Sequence, residues 1–175
     1  MRDGAPEALD VLRLQGVKHV AMLTGDQQAA AEAFAAAVGV DEVRFELLPE
    51  DKVANVQALR ATHGSVAMIG DGINDAPALA AADVGIAMGA AGTDVALETA
   101  DVALMADELG KIAYAIRLSR ATIRNIRANI VFSLVLKAGF LVLAIAGAAT
   151  LWMAVAADMG ASLLVIANSL RLLRE

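Results

Sequence analysis

The segment Gly70-Asp71-Gly72-Ile73-Asn74-Asp75-Ala76-Pro77 places two carboxylates and an amide in one tight turn. It follows an apolar run, residues 65–69, that predicts a buried strand, and it precedes an alanine-rich helix predicted over 74–82. The two glycines allow the backbone to bend and to approach a ligand closely. Two Asp side chains at i and i+4, at the carboxyl end of a parallel strand, suit Mg2+, which prefers oxygen ligands and shares its shell with phosphate. The alternative is a β-turn followed by an Asn or Asp helix cap, but the whole eight-residue pattern favours the cation site.

A hydroxyl, a glycine and a carboxylate also follow an earlier predicted strand. Thr24, Gly25 and Asp26 come after a strand predicted over 17–23 and before a helix predicted over 27–38. The Thr hydroxyl and the free N–H groups at the start of that helix could bind phosphate. Taken alone, the motif is equally compatible with a Thr or Asp that only caps the helix.

Lys52 lies in the first turn of a helix predicted to start near Pro49, after a short strand predicted over 43–47. A cation in that turn is not stabilised by the helix dipole, which indicates a function for this side chain. The alternative is a solvated surface lysine. His19 and His63, at a strand start and a helix end, are interpreted as ordinary surface residues.

Composition separates the chain into an acidic part and an apolar, basic part. Hydrophobic residues make up 58% of the 175 residues and mean hydropathy is +0.61, which excludes disorder and is too apolar for a simple soluble domain. Residues 1–116 carry 7 Lys/Arg against 18 Asp/Glu, a net charge of −11, whereas residues 117–175 carry 7 against 2, a net charge of +5. The basic residues flank an apolar run, so nucleic acid is not expected as a partner. The absence of Cys excludes disulfides and thiolate metal sites within this sequence, and no secretory signal is expected at its start.

The order of predicted elements indicates an α/β fold. A helix predicted over 1–16, further strands over 84–88 and 101–105, and a short helix from Thr93 complete an alternation of strands and helices. The strands are apolar on both faces, which is typical of a parallel sheet covered by helices on both sides.

The last third of the chain predicts two membrane-spanning helices. Between Arg127 and Arg171 lie 43 residues whose only ionisable side chains are Lys137 and Asp158. A bilayer core needs about 20 residues per helix, so this length fits two spans joined by a turn near 147–152. Basic residues before the first span and after the second place both ends in the cytoplasm, with Trp152 at the far interface. The alternative is a buried helical hairpin of a soluble protein.

Lys137 and Asp158 would each cost about 2.5 to 3.5 kcal/mol if left alone at bilayer depth. Counted from the turn, their depths differ by roughly 7 Å at 1.5 Å per residue, which a long Lys side chain can span. The sequence therefore predicts an ion pair between the two helices, and an intramembrane carboxylate is a candidate ligand for an ion. The alternative is a pair that only fixes helix packing.

These motifs together resemble the carboxyl-terminal part of a P-type ATPase of the heavy-metal-transporting subgroup. The resemblance covers residues 2–175 and rests on MLTGD (22–26), LPEDK (48–52), MIGDGINDAPAL (68–79), GTDVALETAD (92–101) and the terminal pair of spans. It implies a partial phosphorylation domain with the haloacid-dehalogenase-like Rossmannoid fold, followed by a two-helix transmembrane hairpin. The expected boundaries are 1–107 for that domain, 108–127 for a connecting cytosolic helix, 128–148 and 150–170 for the spans, and 171–175 for a cytoplasmic tail.

The resemblance also implies roles for the site residues, with Mg2+ and ATP as cofactors. Asp71 would hold Mg2+, and Asn74 and Asp75 would order the phosphate site, with Asp75 also near the cation. Thr24 and Gly25 would contact the phosphorylated aspartate, Asp26 would lie near the nucleotide, and Lys52 would neutralise phosphate charge. This is consistent with phosphoryl transfer, which depends mainly on positioning and charge neutralisation.

The last span, with Asp158 followed by Met-Gly-Ala-Ser and later by Asn168-Ser169, is similar to the zinc, cadmium and lead exporters. In that branch Asp158 would be a ligand of the transported Zn2+, Cd2+ or Pb2+, and Lys137 its counter-ion. A carboxylate suits such a divalent ion better than Cu(I), which prefers sulfur. The expected location is the cell membrane, multi-pass, with the lipid bilayer and the remainder of the pump as partners.

The family's phosphorylated aspartate, in its DKTGT motif, does not occur in these residues, nor does its Cys-Pro-Cys metal motif. A phosphoenzyme needs a carboxylate nucleophile, so the chain by itself is expected neither to pump nor to hydrolyse ATP, and we interpret it as a fragment of a longer pump. Two other interpretations are a membrane-anchored regulatory protein that lost the chemistry, and a haloacid-dehalogenase-type phosphatase with a membrane tail.

Overall fold

The computed structural model describes residues 4–70, 73–89, 98–104 and 109–174. The chain divides into two compact units, Met1–Ala113 and Tyr114–Glu175, and each is described by itself. The first unit alternates helices and strands, and the second consists of helices only. The elements, in chain order, are α1 Ala5–Leu14, β1 Ala21–Leu23, α2 Gln28–Val38, β2 Glu42–Arg44, α3 Pro49–His63, β3 Ala67–Gly70, a 3-10 turn Ile73–Asp75, α4 Ala76–Ala81, β4 Val84–Met88, β5 Val102–Leu104, α5 Gly110–Ile145, α6 Leu151–Leu170 and a 3-10 turn Arg171–Arg174.

All strand pairs in the first unit are parallel. β1 pairs with β2, with Ala21 opposite Glu42, while β3, β4 and β5 form a three-stranded ladder in that order. Within the described residues the two ladders are separate, so β1 and β3 each have one strand neighbour. The predicted α/β class with parallel strands and intervening helices is confirmed.

Several predicted elements differ in their bounds from the structure, and for three of them a competing backbone contact or a missing N–H explains the difference. β1 begins at Ala21 rather than at residue 17, since the Val20 N–H donates to the Asp41 carboxylate at 2.8 Å. β2 ends at Arg44 rather than at residue 47, since the chain turns at Glu46 with a φ of 54°. The helix predicted over 74–82 begins at Ala76, since the nitrogen of Pro77 has no hydrogen to donate to an earlier carbonyl. The residues at which the short helix was predicted to start, from Thr93, lie outside the described residues.

The core of the first unit lies where α3 and α4 pack with β4. Val56, Leu79 and Met88 are the largest fully buried side chains among the described residues, each 1% exposed. Gly85 allows the close contact, because a Cβ there would lie 2.8 Å from the carbonyl oxygen of Leu79. The helix α4 therefore packs tightly against β4, and β4 pairs with β3, the strand that leads to the Gly70 turn.

The second unit presents apolar side chains outward. α5 and α6 are long and apolar enough to cross a membrane, and 0% and 6%, respectively, of their most apolar stretches are buried within the structure. The turn between them uses Gly147, with a φ of 72°, and Thr150, whose hydroxyl accepts from the Met153 N–H. A soluble protein buries such helices, so this exposure favours a lipid environment over the soluble-hairpin alternative.

Replacement of Leu79 by Ala should lower the free energy of unfolding of the first unit by about 2 to 5 kcal/mol, because it leaves a cavity beside β4. Replacement of Leu14 by Ala is the control, since this side chain is 87% exposed, and it should change the value by less than about 0.5 kcal/mol. Hydrogen exchange of the β4 amides in the detergent-solubilised chain measures both. Equal protection in the two variants would contradict the assigned core.

Candidate functional site

Lys52 and Asp75 form an ion pair between the first turn of α3 and the turn that follows β3. Lys52 Nζ lies 2.7 Å from Asp75 Oδ1, and the two side chains are only 16% and 14% exposed. The lysine thus has a carboxylate partner on another element and is not a freely solvated surface cation. The partial burial of both charges makes their attraction stronger than that of a surface pair.

Gly70 is required at the end of β3 because Asp75 packs directly against it. A Cβ at this position would lie 2.6 Å from the Cβ of Asp75 and 3.0 Å from its Oδ2. The glycine therefore fixes where the carboxylate turns back toward the strand. This is a more specific reason for Gly70 than the bend and ligand approach inferred from the sequence.

Thr24 and Asp26 hydrogen-bond to each other at the carboxyl end of β1. The Thr24 hydroxyl donates to Asp26 Oδ2 at 2.8 Å and accepts from the Asp26 N–H at 3.1 Å. The N-cap of α2 is Gln27, and no side-chain hydrogen bond from it caps the helix. The motif is thus a closed hydroxyl–carboxylate loop, and it does not match the helix-capping alternative.

Backbone contacts connect this loop to the start of α3. The Leu47 N–H donates to the Thr24 carbonyl at 3.1 Å, and the Leu48 N–H donates to the Asp51 carboxylate at 3.0 Å. Gly25 lies against the same segment, because a Cβ on it would be 3.3 Å from the Leu47 carbonyl oxygen. The Thr24 loop therefore leads, through four residues of backbone, to the helix turn that carries Lys52.

Of the remaining predicted residues of this site, Asn74 lies within the described part of the chain. Asn74 is exposed in the 3-10 turn beside Asp75. Asp71, the predicted Mg2+ ligand, lies outside the described residues, as does Gly72. Asp75 is the described carboxylate of this turn, and its Oδ1 is paired with Lys52. While that pair persists, its other oxygen, Oδ2, is the one that can bind a cation. Carboxylate oxygens are the donors that Mg2+ prefers, so the chemistry of this turn fits that ion.

The second unit brings the two predicted membrane charges together. Lys137 Nζ lies 3.9 Å from Asp158 Oδ1, which is beyond hydrogen-bond length, and the side chains are 70% and 69% exposed. Both line an open groove of about 430 Å3 between α5 and α6. The carboxylate is thus near a compensating charge while its oxygens remain available to another ligand.

Sequence reasoning missed a cluster of amide side chains that joins α5 and α6. Asn125 donates to the Asn168 carbonyl at 3.0 Å, and Asn168 donates to Asn129 at 2.8 Å. Asn129 also donates to Asn125 and to the Ser169 hydroxyl. The spacing of two Asn at i and i+4 beside an apolar span was the available signal, since amides are common between membrane helices. The cluster fixes the register in which Lys137 meets Asp158.

Comparison with known proteins identifies close relatives over nearly the whole chain. The haloacid dehalogenase-like hydrolase family matches residues 1–83. The chain is 53% identical over 174 residues to a probable cadmium-transporting ATPase of Staphylococcus aureus (strain MRSA252), and 47% identical over 177 residues to a cadmium, zinc and cobalt-transporting ATPase of Bacillus subtilis (strain 168). Each alignment covers 99% of this chain, and 24% and 25% of the relative.

A solved structure agrees with this result. The crystal structure of a zinc-transporting PIB-type ATPase in its E2.Pi state superposes with a TM-score of 0.90 and 53% identity, and the match covers 99% of this chain and 28% of that one. The chain thus spans about a quarter of the length of the curated relatives it matches. The predicted fold, a haloacid-dehalogenase-like domain followed by two long apolar helices, is confirmed, as is the resemblance to heavy-metal pumps.

The Lys52–Asp75 pair should show a coupling free energy of about 1.5 to 3 kcal/mol in a double-mutant cycle with Lys52→Met and Asp75→Asn, because each single change leaves a largely buried charge unpaired. The pair Arg60–Asp83 is the control, since its side chains are 54% and 25% exposed, and it should give about 0.2 to 1 kcal/mol. Both cycles use hydrogen exchange of the β4 amides. Equal coupling in the two pairs would show that the Lys52 contact has no special strength.

Proposed function

Since the chain belongs, by sequence and fold, to the heavy-metal-transporting P-type ATPases, we propose that it supplies the phosphate site and part of the membrane metal site of an ATP-driven exporter of Zn2+, Cd2+ or Pb2+. The observation that carries this proposal is the pairing of Asp158 with Lys137 in a groove between two exposed apolar helices. A carboxylate at that depth needs a cationic partner, and a transported divalent ion provides one.

The phosphate site works mainly through Lys52. Its ammonium neutralises phosphate charge, and Asp75, on a turn held by Gly70, fixes its position. The Thr24 hydroxyl, now bonded to Asp26, rotates to donate to a phosphoryl oxygen. Asp71 and Asp75 would hold Mg2+, which would supply further neutralisation of the charge on the phosphoryl group taken from ATP.

The nucleophile of the complete pump comes from another part of the protein. Within the described residues, β1 and β3 each have one strand neighbour, and Ile69 on β3 is 36% exposed. A strand added between these edges would extend both parallel ladders. We infer that the segment with the phosphorylated aspartate adds there, because its carboxyl end would then lie beside the Thr24 and Gly70 turns.

The metal site works through the balance between Asp158 and Lys137. When the Asp158 carboxylate is open to the groove, it binds the transported ion. When the ion leaves, Lys137 pairs with that carboxylate instead. The distance of 3.9 Å between Lys137 Nζ and Asp158 Oδ1 supports this exchange, because it is short enough for electrostatic attraction and too long for a hydrogen bond. Ligands from the remaining helices of the pump complete the site.

The helix α5 connects the domain that carries the phosphate site to the membrane metal site. It runs unbroken over 36 residues, with no Pro and without a hinge at Arg117. A continuous helix transmits a displacement along its axis. We therefore assign α5 the transfer of movement from the phosphorylation domain into the membrane.

We propose that the outer ends of both helices lie in the cytoplasm, in a multi-pass protein of the cell membrane. Support comes from the four arginines that precede the first span and from Arg171 after the second, which follow the positive-inside rule. Trp152, 81% exposed next to the Gly147 turn, suits the opposite interface.

Asp158→Ala in a complete pump that contains these residues should abolish zinc- and cadmium-stimulated ATP hydrolysis, because the ion loses its carboxylate ligand. Asp10→Ala is the matched control, since it removes a carboxylate that is exposed on α1, and it should leave the activity unchanged. Full metal stimulation in Asp158→Ala would mean that Asp158 has only a structural role.

Lys137→Met should slow turnover and lower the metal concentration that gives half-maximal ATP hydrolysis, because nothing then competes with the ion for Asp158. A substitution that only disturbed helix packing would instead raise that concentration or leave it unchanged. Metal titration of the steady-state ATPase rate distinguishes these results, and Lys137→Arg should restore most of the wild-type behaviour.

A further inference from the structure

His19, Glu42 and His63 converge at the end of the first unit opposite the phosphate site. His19 precedes β1, Glu42 is the first residue of β2 and His63 is the last residue of α3. One ligand atom from each lies within 4.8 Å of the others, and His19 Nε2 is 3.1 Å from Glu42 Oε2. The two imidazole rings are stacked with centroids 4.2 Å apart. The sequence interpretation of both histidines as ordinary surface residues did not include this cluster.

The spacing of these atoms suits a tetrahedral metal ion. Zinc bonds to nitrogen and oxygen are about 2.0 to 2.2 Å long, so the ligand atoms of a tetrahedral site lie about 3.4 Å apart. The observed His19–Glu42 distance is close to that value. The stacked rings are nearly parallel, with an interplanar angle of 10°, so their in-plane nitrogen lone pairs do not meet at one point. The His63 side chain, which is exposed at a helix end, would rotate out of the stack to direct its nitrogen at an ion shared with His19 and Glu42.

Neighbouring residues hold the carboxylate in place and keep it ionised. Arg44 Nε donates to Glu42 Oε1 at 2.6 Å, and Arg44 also contacts the Asn55 side chain. This hydrogen bond from Arg44 lowers the pKa of the Glu42 carboxyl. One carboxylate oxygen is thus anchored by the guanidinium, while Oε2 remains directed at the His19 imidazole, as in sites whose ligands are oriented by a second set of contacts.

We propose that His19, Glu42 and His63 bind a divalent ion of the zinc type, with water in the fourth position. Two imidazoles and one carboxylate match the preferences of Zn2+, Cd2+ or Co2+. The site is distinct from the Asp158 groove, which belongs to the other unit. It is also distinct from the phosphate site, because His63 lies about 16 Å along α3 from Lys52 at 1.5 Å per residue.

An ion bound there connects the carboxyl end of α3 to the first residue of β2 and to the segment that precedes β1. Because α3 carries Lys52 at its other end, the ion stabilises the helix that positions the phosphate site. Ion binding to the folded chain also raises its stability by mass action, provided that the unfolded chain binds more weakly.

Imidazole NMR provides a direct test, because the chain contains two His and no Cys. The full chain, purified in detergent without a polyhistidine tag, is titrated with zinc chloride while the ring resonances of both histidines are recorded. We expect saturable shifts of both rings with one common dissociation constant. Glu42→Gln and His63→Gln should each weaken this binding by about tenfold or more, since even the loss of an outer contact costs about that much.

Asp158→Asn is the control and should leave the imidazole titration unchanged, so the result does not depend on the proposed transport site. Absence of zinc-induced shifts, shifts of one ring only, or unchanged affinity in Glu42→Gln would each overturn the proposal. Glu42→Gln keeps the size of the side chain, and so it still reports on the site if His63→Gln disturbs the end of α3.

Discussion

The ion pair between Lys52 and Asp75 is the contact on which the arrangement of the first unit depends. It joins α3, which follows β2, to the turn that follows β3, across 23 residues of sequence. The pair forms only because Gly70 leaves room for Asp75 and because the capped first turn of α3 fixes Lys52. Each charge would be costly in this largely buried place without the other, so the position of one determines the position of the other.

The second unit depends on a different constraint, the exposure of its apolar surface. Few of the residues in its long helices are buried within the chain, so their polar side chains must find partners between the helices or in the groove. The Asn125–Asn129–Asn168 cluster meets this requirement at one position along the two helices, and the Lys137–Asp158 pair meets it at another. The amides of the first set hydrogen-bond to one another, whereas Lys137 and Asp158 lie 3.9 Å apart without a hydrogen bond, and this difference separates a packing contact from a site that can accept an ion.

Elements with a strong local signal were predictable from the sequence. β4 occupies the predicted residues Val84–Met88, and α3 begins at Pro49. The prediction was wrong where a side chain or a missing N–H competes with the regular backbone pattern, as Asp41 does beside Val20 and Pro77 does at the start of α4. The His19–Glu42–His63 cluster could not be predicted, since its members are distant in sequence and no local spacing indicates a shared location.

Phosphorylation of a complete pump that contains these residues, from radiolabelled ATP and separately from radiolabelled inorganic phosphate, tests most directly whether the membrane carboxylate controls the phosphate site. We expect Asp158→Ala to lose zinc-dependent labelling by ATP and to keep labelling by inorganic phosphate, because the phosphate site itself is intact. Zinc-dependent labelling of Asp158→Ala by ATP at the wild-type level would show that the membrane carboxylate does not control the phosphate site.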